Sequence, residues 1–132
     1  MATLDDVAAL AGELPDVTET ERRDARAWSV AGKVFAWERR FSKADLKRYG
    51  AQPVPPDPIL AIRVEDLGEK EAVLAAGHAG FFTIPHFDGY AAVLVELTAA
   101  APAALRDALV DAWLACAPPA LAASFTRGDA TT

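Results

Sequence analysis

The sequence predicts a two-layer α+β domain with one antiparallel sheet. Three observations predict it. Apolar residues recur at helical spacing in three separate stretches. Between them lie five short runs rich in Val, Ile and aromatic residues, some joined by tight turns. Short connections favour antiparallel pairing, and amphipathic helices must cover a sheet face. The reading is of one domain over residues 1–132, with 126–132 as a frayed tail.

Thr3 to Leu14 opens as a helix, with Leu4, Val7, Ala8, Ala11 and Leu14 on one face. Thr3 is placed to cap it, with Asp6 at its third position. Pro15 ends it. Asp16–Asp24 is polar and reads as a loop. Ala25–Val30 and Lys33–Arg40 form a hairpin around Ala31-Gly32. Strict alternation places Trp28 and Val30 on one face of the first strand. In the second strand it sets Phe35 and Trp37 together, opposite Val34 and Ala36.

Ser42 caps a short helical turn with Asp45 at its third position, and Gly50 closes it. Gln52–Pro58 holds four prolines and is a stiff extended connector. Ile59–Val64 is a strand, with Leu60, Ile62 and Val64 on one side and Ile59, Ala61 and Arg63 on the other. Asp66 caps a helix over Leu67–Ala76 that stops at Gly77. Gly80–Ile84 and Tyr90–Leu97 are the last strands, joined by a turn over Pro85–Gly89. Pro102 begins the final helix, whose buried stripe is Leu105, Leu109, Ala112, Trp113 and Cys116. Pro118-Pro119 ends it, and Ala120–Phe125 adds one more turn.

Charge is unevenly spread. The net charge is −6. From Glu21 to Gly50, nine Lys and Arg face four Asp and Glu, so that segment is +5 and the rest is −11. An acidic body repels nucleic acid at long range, whereas a basic segment upon it can face phosphate. The same segment also reads as a solvated stretch paired with acidic neighbours. No uncharged run reaches the about 20 apolar residues of a bilayer span, and no basic leader precedes the first helix. A cytoplasmic chain without membrane contact is the expectation.

Four blocks resemble the MmcQ/YjbR family. They are TLDDVAALAGELPDVTE at the start, GKVFAWERRFSKADL in the first hairpin, FFTIPHFDGYAAVLVEL in the last, and LVDAWLACAPPALA near the end. The resemblance runs from about Thr3 to Phe125. It implies the order α-β-β-β-α-β-β-α, a five-stranded antiparallel sheet of order 1-2-3-5-4, and helices on one side. It also implies a binding module labelled DNA-binding, with no catalytic residues to carry over. Many members open the last strand with Trp, where this chain reads Gly89-Tyr90-Ala91-Ala92.

The candidates for phosphate contact are Lys33, Arg39, Arg40, Lys43, Lys47 and Arg48, with Trp37 adjacent on the hairpin. The aromatics Trp28, Phe35, Trp37, Phe81, Phe82, Phe87 and Tyr90 read either as a base-stacking surface or as sheet core. The other expectation is a protein- or small-ligand-binding domain, open to self-association, with Trp37, His86, Phe87 and Tyr90 in contact.

Catalytic chemistry has thin support. His86 lies two residues before Asp88, a pairing that suits a general base. Ser29, Ser42, Ser124 and Cys116 are the available nucleophiles, and none sits in a G-x-S-x-G context. His78 and His86 match no zinc spacing, and no phosphate-cradling glycine loop is present. Neither a metal nor a cofactor is expected, and Cys116 reads as a small core hydrophobe.

Overall fold

The structure is a computed structural model that describes residues 2–22, 25–52 and 54–125. The expected tail over 126–132 lies outside the described residues. The chain runs α1 (Leu4–Gly12), β1 (Val17–Arg22), β2 (Ala25–Val30), β3 (Lys33–Glu38), α2 (Lys43–Tyr49), β4 (Ile59–Arg63), α3 (Leu67–Ala75), β5 (Phe81–Phe82), a 3₁₀ turn (Pro85–Phe87), β6 (Ala92–Glu96), α4 (Pro102–Cys116) and α5 (Pro119–Ser124). Two helix starts are reciprocal capping boxes. Thr3 Oγ1 accepts from the Asp6 N–H at 3.1 Å while Asp6 accepts from the Thr3 N–H at 2.9 Å. Ser42 and Asp45 repeat the exchange at the start of α2.

All strands join one antiparallel sheet of order β1-β2-β3-β4-β6-β5. The five expected strands, β2 to β6, stand in the expected order 1-2-3-5-4, but the sheet has six strands, which corrects the expectation of five. The added strand is β1, in the segment read as a loop. Its polarity misleads because it is an edge strand with β2 as its one neighbour. Val17, Thr18 and Thr20 suit extended backbone. Glu19 accepts from Arg26 Nε at 2.9 Å, Arg26 Nη2 at 3.1 Å and Trp28 Nε1 at 3.0 Å, so a charged residue ties this edge to β2.

The main core lies on the face covered by α1 and α4. It gathers Val7 and Ala11 from α1, Trp28 and Val30 from β2, Leu60 and Ile62 from β4, and Leu105, Leu109 and Trp113 from α4. Trp113 Nε1 donates to the Pro15 carbonyl at 3.0 Å, which ties α4 to the end of α1. The helices do not keep to one face, as had been expected. A second, smaller core on the opposite face holds Ile59, Ala61, Ile84, Phe87, Ala92 and Leu94. Phe41, Tyr49 of α2 and Phe82 pack against it. This cover ends before it reaches β2.

Strict alternation fails in β3. Ser29 pairs with Val34 and Trp28 with Ala36, so Phe35 is an extra residue in the strand. Such a bulge shifts the phase of every side chain beyond it. Phe35 and Ala36 both enter the main core, whereas Trp37 turns to the opposite face. Phe35 and Trp37 therefore do not share a face. Val34 and Trp37 do.

Candidate functional site

The uncovered part of the second face is a shallow groove of 310 Å³. Ala25 and Ala27 of β2, Val34 and Trp37 of β3, Arg63 at the end of β4, and Tyr90 line it. The small side chains on β2 leave the Trp37 indole standing above its neighbours. Three rings gather here. Trp37 lies 6.5 Å from Phe87 and 6.3 Å from Tyr90, and Phe87 meets Tyr90 edge-on at 5.5 Å. These are favourable aromatic separations. Phe87 is buried, Trp37 half-buried and Tyr90 38% exposed, so Tyr90 forms the outer wall.

Arg63 is held on three sides. Its Nε donates to the Val34 carbonyl at 3.1 Å, Nη2 donates to Tyr90 Oη at 3.1 Å, and the guanidinium lies 5.6 Å from the Tyr90 ring centre. The β3–β4 ladder covers only Ala36 to Glu38, so the Val34 carbonyl lies beyond it. Arg63 thus repairs the backbone that the bulge displaces. Arg26, Arg39, Arg40 and Arg48 each have a carboxylate within 4.0 Å. Among the described residues Arg63 has none.

The turn that carries Phe87 and Tyr90 is fixed from below. Lys70 of α3 is buried, and its Nζ donates to the carbonyls of Phe87 at 2.6 Å and Tyr90 at 2.9 Å. Burial pushes this ammonium below its ordinary pKa, and the Asp88 carboxylate opposes that shift. No motif marks Lys70 in the sequence. Arg63 does leave a trace, as the one charge in the apolar run ILAIRV.

The six basic candidates do not form one cluster. Lys33 opens β3 and Arg39 follows its end, about 20 Å apart at strand spacing. Arg39 is only 17% exposed. It donates to Asp45 at 2.8 Å, contacts the Arg40 carbonyl and lies 5.7 Å from the Phe87 ring. Burial would raise the Asp45 pKa, but hydrogen bonds from Ser42 and Arg39 outweigh it, and the carboxyl is held below its usual range. Arg39 is therefore committed to this buried pair. Arg40 lies 3.4 Å from Glu38 and is 58% exposed, and Arg48 is 4.0 Å from Asp45. Lys43 and Lys47 are exposed one turn apart on α2.

His86 is exposed on the 3₁₀ turn, with its ring 6.1 Å from Phe87. The nearby carboxylate of Asp88 acts on Lys70. Ser42 is spent in its capping box, Ser29 donates to the Thr18 carbonyl at 3.4 Å, and Ser124 donates to Leu121 at 2.8 Å. Cys116 is buried, which pushes its thiol up. Among the described residues no three His, Cys, Asp or Glu side chains are grouped to hold a metal ion. No described helix is long and apolar enough to cross a membrane.

No protein-family model matches the chain. It is 43% identical over 128 residues to "Uncharacterized protein Rv2570" of Mycobacterium tuberculosis, a match covering 95% of this chain and 96% of that one. "Uncharacterized protein Mb2600" of Mycobacterium bovis matches with the same identity and coverage. Among solved structures, Deinococcus radiodurans protein DR2400, a DUF419 domain, superposes with a TM-score of 0.59 at 19% identity. That match covers 99% of this chain and 87% of the other. The chain belongs to the family of these mycobacterial proteins, and its fold is that of the DUF419 domain.

Proposed function

We propose that the chain is a non-enzymatic binding domain of the MmcQ/YjbR type that holds a small ligand on the open part of its sheet. The observation that supports this reading is the phase shift at Phe35, which turns Trp37 out of the main core and beside Tyr90 and Arg63. A half-exposed Trp beside a Tyr and an Arg combines the residue types enriched where binding energy concentrates. The groove sits at the small end of the about 300–1,000 Å³ range for small-molecule sites.

The test is an NMR titration of the indole N–H signals with naphthyl probes, charged and neutral. The chain has three Trp residues. Trp28 and Trp113 are buried and donate to Glu19 and Pro15, so they serve as internal controls. A saturable shift confined to the Trp37 indole is the expected result. No shift there with any naphthyl probe would end this reading.

A second reading places nucleic acid on α2, favoured by the exposed Lys43 and Lys47 with Arg40 and Arg48 nearby. With about four phosphate contacts, affinity would fall about a hundredfold between about 50 and about 200 mM salt. Fluorescence anisotropy with labelled duplex and single-stranded DNA checks this. Binding with that salt slope, weakened by Lys43→Ala/Lys47→Ala, supports it. Absence of binding at low salt removes it. The net charge of −6 and the commitment of Arg39 to Asp45 weigh against it.

A further inference from the structure

We infer that the groove selects an aromatic carboxylate, with its ring against Trp37 and its carboxylate on Arg63. This rests on the binding reading above and names the ligand class. Arg63 carries the argument. A half-buried charge ordinarily has a partner of opposite sign. Arg63 has a carbonyl, a hydroxyl and a ring face instead, and its Nη1 edge has no partner among the described residues. Arg63 lines the groove, and its two hydrogen bonds engage Nε and Nη2 only. A carboxylate matches the planar donor edge of a guanidinium. Because Val34 and Tyr90 already fix the side chain, little further ordering is needed on binding.

The walls define the rest of the ligand. Ala25, Ala27 and Val34 give a low apolar floor, and Trp37 and Tyr90 supply ring faces and edges. A flat ring fits this shape better than a branched chain. Glu38 also borders the groove. Its carboxylate accepts from the Arg26 N–H at 3.2 Å and lies 3.4 Å from Arg40 Nε. A second negative group near Glu38 is disfavoured. The ligand therefore carries one anionic end, directed at Arg63.

The experiment compares 2-naphthoate with its neutral methyl ester on the full wild-type chain, following the Trp37 indole signal. The two share a ring and differ in charge. The acid is expected to bind about tenfold tighter or more, the usual reach of a charge-assisted hydrogen bond. Arg63→Gln is expected to remove that preference, with its melting curve showing that it still folds. Equal affinity for acid and ester would overturn the anion assignment and leave the binding site standing. No Trp37 response to either probe would overturn both. The wild-type comparison decides the matter even if Arg63→Gln does not fold.

Discussion

The Nζ of Lys70 lies 2.6 Å from the carbonyl oxygen of Phe87, the residue at the centre of the ring cluster. The same ammonium reaches the Tyr90 carbonyl at 2.9 Å, so one buried side chain spans the turn. Both carbonyls also accept backbone donors, from the Tyr90 N–H at 3.0 Å and the Ala92 N–H at 2.8 Å. Lys70→Met is therefore expected to fold with a loss of about 1–3 kcal/mol in urea unfolding. The Tyr90 and Ala92 amides should exchange faster with solvent. Unchanged exchange at both amides would show that Lys70 does not hold the turn.

Asp45 ties acid stability to the strap between β3 and α2. Its folded pKa lies below the ordinary 3.8, because Ser42 and Arg39 outweigh the effect of burial. The unfolded chain then binds the proton more readily, so stability falls as pH drops. The contribution is full above about pH 3.8 and is lost as pH falls through the lower folded value. Asp45→Asn is expected to flatten the acid limb of a stability-versus-pH curve and to lower stability at pH 7. An acid limb identical to wild type would contradict this.

Trp37 is the half-exposed indole, whereas Trp28 and Trp113 are 1% and 0% exposed. Acrylamide quenching of native fluorescence should come mainly from Trp37. Trp37→Phe is expected to remove most of the quenchable emission while leaving the melting temperature near its original value. Were Trp37 in the main core beside Phe35, as strict alternation predicts, the variant would instead lose several kcal/mol.

Glu19 anchors the edge strand. Glu19→Ala strands the Trp28 indole N–H, which otherwise donates at 3.0 Å. A loss of about 1–2 kcal/mol is expected. Glu19→Gln keeps an acceptor for the indole and should lose less, because its exposed ion pair with Arg26 is worth little. Thermal melts of the two variants, with Ala clearly below Gln, check this order.

Local rules sufficed where the chain obeys one rule at a time. Thr3, Ser42 and Asp66 cap the helices they were expected to cap. The faces of β4 follow simple alternation, since Leu60 and Ile62 enter one core and Ile59 and Ala61 the other. Reading failed where a neighbour decides. VTETER has no apolar face, and it is a strand because β2 offers an edge and Glu19 finds Arg26 and Trp28 there. The Phe35 bulge brings both Phe35 and Ala36 into the core that α4 covers, which alternation cannot register. Trp37, Phe87 and Tyr90 were legible as candidates, yet Phe87 is buried and Arg63 is the charge that meets Tyr90. Arg39 was legible as a base, but its partner Asp45 was visible only as a cap.

The most direct test of the central claim is the titration of ¹⁵N-labelled protein with 2-naphthoate. A saturable shift of the Trp37 indole, with backbone shifts at Ala27, Arg63 and Tyr90 and silence from the Trp28 and Trp113 indoles, is the result this account predicts. Shifts centred on Lys43 and Lys47, or no saturable shift at Trp37, would contradict it.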